Sequence, residues 1–148
     1  MSSQKIIESH RSNAEIYTEE SICKEKAHDL LTKFSLPKGL IPMKDVTEVG
    51  HNPLTGFVWV RRKKKTNHFF SMISRQVTYD CEVTAFVEDR RLRNITGVKS
   101  KELLIWVTVS DICVVGDGDK ITFSTPTGLS RSFPFSAFET NDKIDVSM

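Results

Sequence analysis

Cysteine is scarce in this 148-residue chain: Cys23, Cys81 and Cys113 are odd in number, far apart, and form no Cys-x-x-Cys pair. That excludes a disulfide framework and a cysteine-based zinc site, and it fits a reducing compartment. Long apolar runs are missing too, since no stretch approaches the ~20 residues that a membrane-spanning helix needs. The opening residues, MSSQKIIESHRSNAEIY, lack an apolar h-region, so no signal peptide is expected and the protein reads as cytoplasmic. Internal repeats and low-complexity tracts are absent. No paired carboxylates, glycine-rich phosphate loop or Cys/His pairing stands out, so no catalytic residue, metal or cofactor is expected. His10, His28, His51 and His68 have no metal-ligand spacing among themselves or with cysteine.

What is present is the material of one globular unit. Hydrophobic residues make up 39% and charged residues 27% of the chain, too apolar for a disordered one. A chain of this length buries about 68–70% of its unfolded surface, enough for a core without staples. The net charge of +2 hides an asymmetry, because residues 60 to 101 carry eleven Lys or Arg against four Asp or Glu. The excess centres on Arg61, Arg62, Lys63, Lys64 and Lys65. Such a run can meet anionic lipid or nucleic-acid phosphates or serve as an import signal, and it can equally be a solvated strand end or loop. Nucleic acid is the least expected partner, because only Phe69 and Phe70 lie beside the run.

Residues 1–17 are polar and without clear period and read as a flexible arm. Thr18 is positioned to cap a helix opening with Glu19 and Glu20. Cys23, Ala27, Leu30, Leu31 and Phe34 then form one apolar stripe, which predicts an amphipathic helix ended by Pro37 and Gly39. Everything later reads as strand and turn. Val46–Val49 alternates and closes on the loop Gly50–Gly56. Phe57 and Trp59 share one face of the next strand, with Val58 and Val60 on the other. Over residues 77–87, Val77, Tyr79, Cys81, Val83, Ala85 and Val87 share a face, with Cys81 expected as a core thiol. A turn at Glu88–Arg91 leads into a returning strand, Leu92–Val98. The run Leu103–Val115 is apolar on both faces and rich in β-branched residues, which predicts a strand placed centrally or beneath the helix. Asp111, on an otherwise apolar face of that run, fits a bulge, an end or an exposed position. Turns at Gly116–Asp119 and Pro126–Gly128 flank Ile121–Phe123. The expected fold is mainly β (α+β): a curved antiparallel sheet or partly open barrel with one N-terminal helix packed on it. The expected organisation is a unit over 18–139, with a flexible tail over 140–148.

Two weak motifs and one lead remain. Gly128-Leu129-Ser130-Arg131-Ser132 approaches a nucleophile elbow but lacks the final glycine and the strand-to-helix context. Gly116-Asp117-Gly118-Asp119 lacks the later ligands of a calcium loop. The lead is aromatic: Phe57, Trp59, Tyr79, Trp106 and Phe123 lie on predicted strands and are the expected lining of a site for a lipid-like or other amphiphilic ligand. A filled core is the simpler reading of the same residues. A protein partner bound through a sheet edge or the arm is the alternative to a ligand.

In their order along the chain, several motifs are similar to the plant domain-of-unknown-function family 538. They are Leu36-Pro37-Lys38-Gly39-Leu40-Ile41-Pro42, Gly56-Phe57, Val77-Thr78-Tyr79, Thr96-Gly97-Val98 with Lys101-Glu102-Leu103, and Ser132-Phe133-Pro134-Phe135-Ser136-Ala137-Phe138. The resemblance runs from Ala27 to Glu139. It implies a small, mainly β fold with one N-terminal helix, likened to the lipid-binding barrel of bactericidal/permeability-increasing proteins. It also implies a plant source and a loose association with growth and stress responses. Lipid binding and a hydrolytic role have both been proposed for the family, without agreed catalytic residues. The chain departs from many members in lacking a signal peptide, in its basic run and in Ala85. It is closest to the intracellular subgroup with Glu82-Val83-Thr84-Ala85-Phe86-Val87.

Overall fold

The elements run in the order α1 (Ser3–His10), β1 (Glu15–Tyr17), α2 (Glu20–Lys33), β2 (Val46–Asn52), β3 (Phe57–Arg62), β4 (Thr66–Phe70) and β5 (Arg75–Glu88). They continue with β6 (Arg91–Glu102), β7 (Ile105–Thr108), β8 (Asp111–Val115), β9 (Lys120–Ser124) and β10 (Ser130–Pro134). The structure is a computed structural model and describes residues 2–139, so the expected tail over 140–148 lies outside the described residues. All strands join one antiparallel sheet in the order β1-β2-β3-β5-β6-β8-β9-β10, with β4 on β5 and β7 on β6, and the sheet does not close. The mainly β expectation is therefore met by an open, ten-stranded sheet.

The long β5–β6 hairpin organises the sheet. At one end it is flanked by β3 and β8, and at the other by β4 and β7. Between these ends the β5–β6 register slips, and Gly97 sits there at a φ of +84°. A Cβ at Gly97 would strike the Glu82 carbonyl, so glycine lets the two backbones close over the bulge. The slip has a consequence for Cys81. Strict alternation places it in the core, yet it is exposed, because the irregular stretch breaks the inward row between Tyr79 and Val83.

The inner face of the sheet carries the main core, with Val77, Tyr79, Val83, Ala85, Leu92, Val98, Ile112 and Ile121 all buried. Helix α2 packs on this face at β2, burying Cys23, Ala27 and Leu31 as its periodicity predicts. Thr18 does not cap it; Glu19 takes the N-cap position without a side-chain bond. The helix ends in a left-handed residue, Ser35 at φ 61°. There the Leu36 N–H donates to the Leu31 carbonyl and the Ser35 N–H to the Thr32 carbonyl, the two bonds of a Schellman motif. Pro37 follows, and Leu40 and Phe138 meet in the same core cluster, so the first and last family-like motifs pack together.

Three further sequence expectations are corrected. Residues 3–17 are not an arm, since they form α1 and β1, and Ile7 is fully buried. Their two adjacent isoleucines give too short a stripe to register as a period. Strand β2 continues through Gly50, His51 and Asn52, residues read as loop. Finally, Leu103–Val115 is not one central strand. It is a hairpin tip followed by β7 and β8, and Leu103, Leu104, Ile105 and Trp106 are exposed. Asp111 begins β8 and pairs with Arg91 at 2.6 Å, which accounts for an acid at the end of an apolar row.

Candidate functional site

The five expected ligand aromatics do not share a surface. Phe57 and Trp59 occupy the outer face of β3, where α1 covers them together with Ile7 and Phe86. Trp59 lies over Gly50 of β2, whose missing side chain makes room for the indole. The His10 ring stacks on Phe57 at 4.3 Å and closes that layer. Tyr79 is buried in the inner core, and its hydroxyl donates to the Leu40 carbonyl at 2.9 Å. Burial raises its phenol far above the ordinary range. Trp106 is 41% exposed on β7, with the Lys101 ammonium over its ring. Of the five, only Phe123 reaches an open groove.

The basic run is also divided. Arg61 points to the outer face, where its Nε donates to Glu82 at 2.9 Å and its Nη1 to Glu48 at 3.2 Å. Glu48 further accepts from the Trp59 indole at 2.8 Å and from Arg11 at 3.0 Å, and Glu82 accepts from Ser3 at 2.6 Å. Two carboxylates thus tie α1 and its following turn to the sheet. Burial alone would raise the Glu48 carboxyl, but hydrogen bonds from Arg11 and Trp59 leave it below its ordinary value. In Glu82 the Ser3 hydrogen bond, aided by Arg61, lowers the carboxyl as well. Arg62 takes the opposite face. It is only 4% exposed, lies over the Tyr79 ring at 5.8 Å, and meets no protein acceptor among the described residues. Its burial lowers its pKa and removes it from any head group. Only Lys63, Lys64 and Lys65, in the β3–β4 turn, are exposed. The five residues expected to form one exposed basic surface therefore do not share one, because strand alternation sends Arg61 and Arg62 to opposite faces.

Space for a ligand lies elsewhere than the face covered by α2. Between α2 and the sheet only a cavity of about 60 Å³ remains, lined by Ala27, Leu30, Met43, Val60, Val83 and Ile95 among others. With a water occupying about 30 Å³, that cavity is far below a lipid. A groove of about 490 Å³ opens instead between the β6–β7 hairpin and the β9–β10 turn. Leu103, Leu104, Ile105 and Val107 form one wall, Leu129 and Arg131 the other, and Val109, Phe123 and Phe133 also line it. Its volume falls within the roughly 300–1,000 Å³ of ligand clefts. Charge is confined to Glu102 and Arg131, 3.5 Å apart, with Arg75 on the same Glu102 at 2.8 Å. The groove offers apolar surface with cations at its edge.

Ser130 lines this groove, on β10 opposite Ser124. It opens the second strand of a hairpin, unlike the strand-to-helix turn that presents an elbow serine. Among the described residues there is no group of three or more His, Cys, Asp or Glu able to hold a metal ion. No helix of the described residues is long and apolar enough to cross a membrane.

The family model described as protein of unknown function, DUF538, matches residues 27–139. The chain belongs to the DUF538 family. No curated protein and no solved structure matches it. The DUF538 match begins within α2 and ends at the close of β10 and its following turn, so it contains the whole groove and leaves out α1 and β1.

Sequence reasoning did not find Leu103, Leu104, Ile105, Val107 and Leu129 as groove residues. The two-residue turn Leu103-Leu104 contains no Gly, Pro, Asn or Asp, so its apolar character masked it as strand. The Glu48 network was hidden for another reason. A register shift in β2 between Val46 and Glu48 turns Glu48 to the Trp59 face.

Proposed function

We propose that this DUF538 protein is a non-catalytic binding module that takes the apolar chain of a lipid-like amphiphile in the β6–β7/β9–β10 groove. The observation that supports this reading is a groove of about 490 Å³ with leucine, isoleucine, valine and phenylalanine walls and arginines at one rim. An acyl chain removes those walls from water, and an anionic head group meets Arg131 and Arg75. Each buried methylene contributes about 0.8 kcal/mol, so two added carbons tighten binding roughly tenfold while the groove has room.

The test is calorimetric titration with octanoate, decanoate and dodecanoate below their micelle concentrations. Affinity is expected to climb with chain length, and Val107→Trp, which fills the groove, is expected to abolish binding. Affinity that is independent of chain length, or unchanged in Val107→Trp, overturns the reading. A protein adaptor is the rival. It is favoured by β10, whose outer edge takes no strand partner among the described residues and so offers backbone groups to a peptide. In that case the alkanoates fail to bind at all.

A further inference from the structure

We infer that the tip of the β6–β7 hairpin inserts into anionic lipid bilayers, with Leu103 and Leu104 entering the acyl region and a collar of cations meeting the phosphates. Both leucines are 91% exposed. They form a two-residue loop between the paired residues Glu102 and Ile105, and Leu103 holds a φ of 54°. A loop with positive φ at its first position normally carries glycine there, because a side chain strains that conformation. An apolar, strained and fully solvated residue does nothing for folding at this position. A role outside the folded chain accounts for it.

The surroundings extend the same surface. Ile105, Trp106 and Leu129 beside the tip are 64%, 41% and 70% exposed. The β4–β5 connection lies at this end too, since Arg75 pairs with Phe70 and contacts both the Lys101 carbonyl and Glu102. On that connection Met72 is 65% exposed. The residues at this end, 70–76, 101–107 and 129–133, carry three cations, Arg75, Lys101 and Arg131, and one carboxylate, Glu102. Apolar residues at the tip and excess cations behind it match the depth profile of an anionic bilayer, whose phosphates lie above its acyl chains.

This goes beyond the ligand reading, because a bilayer can hold the tip whether or not a single chain enters the groove. It also differs from the basic-run expectation. Lys63, Lys64 and Lys65 sit beyond the far end of β4, about 17 Å away at about 3.4 Å per residue. That is twice the roughly 8 Å screening length at physiological salt.

The experiment is co-sedimentation with vesicles of phosphatidylcholine alone and of phosphatidylcholine mixed with phosphatidylserine. The full chain is expected to partition onto the mixed vesicles and to leave them at high salt. Leu103→Asn with Leu104→Ser keeps the turn, since asparagine tolerates positive φ, and is expected to cut partitioning at least about tenfold. Lys63→Ser, Lys64→Ser and Lys65→Ser together are expected to change it less than about twofold. Acyl chains carrying bromine are expected to quench Trp106 beside the tip. Failure of the full chain to bind mixed vesicles, undiminished binding by the leucine variant, or loss through the lysine variant alone each overturns the inference. Dodecanoate titration of the full chain separates the two readings: uptake without vesicle binding removes only the insertion, and vesicle binding without uptake removes only the groove ligand.

Discussion

Ile7→Ala asks whether the N-terminal segment belongs to the fold. Ile7 is fully buried against Phe57 and Trp59, in a layer that also holds Ile16 and Phe86. The substitution removes three carbons, worth about 2.4 kcal/mol in transfer, and the space left adds to that, for about 3 kcal/mol in total. An eight-residue helix has little stability of its own, so α1 is either docked or unfolded. Placing the change in a Trp106→Phe background makes Trp59 the only indole, because the chain has two tryptophans. Urea unfolding followed by Trp59 emission should then give a stability lower by about 3 kcal/mol, and a Tm lower by roughly 6–12 °C. Iodide should reach Trp59 in the variant at urea concentrations where it cannot in the parent. Leu54→Ala, at a position 76% exposed in the β2–β3 turn, serves as the control and should stay within about 0.5 kcal/mol. Parent-like stability of Ile7→Ala, with Trp59 already open to iodide in the parent, would refute the docking of α1.

Other perturbations test the charges and thiols. Arg62→Met replaces a buried guanidinium that meets no protein acceptor among the described residues, and urea unfolding should show stability unchanged or raised by about 1–4 kcal/mol; a loss above about 2 kcal/mol would contradict it. Glu48 has a lowered folded pKa, so its contribution is present above the ordinary carboxylate range and disappears as pH falls through the folded value. Glu48→Gln should therefore be less stable at neutral pH and lose less on acidification, read from urea midpoints at each pH. Cys81 is exposed, whereas Cys23 is fully buried, its thiol pushed up by that burial and donating to the Tyr17 carbonyl. A thiol reagent should label Cys81 in the native protein and Cys23 only on unfolding, as peptide mass mapping would show.

Much of the fold was legible because its strands obey simple periods. The α2 stripe, the alternation of Phe57 to Val60 and the turns at Gly116–Asp119 and Pro126–Gly128 all depend on local chemistry. The site was less legible, and for a definite reason. Alternation says that Phe57 and Trp59 share a face, but not which face of a curved sheet is concave, and that is decided by α1 docking from far away in sequence. Bulges did further damage. Each slip in β2 or β5 moves a side chain across the sheet, so Glu48 and Cys81 left the positions that strict alternation gives them. At Leu103-Leu104 the ordinary correlation of apolar with buried failed outright, since both are 91% exposed.

The groove can be tested directly by titrating isotope-labelled protein with a dodecanoate bearing a spin label at its chain end. Selective broadening is expected for amide signals from Leu103 to Val109 and from Phe123 to Leu129, with Phe57 to Arg61 beneath α1 unaffected. Broadening centred on Phe57 and Trp59, or spread evenly over the chain, would contradict it.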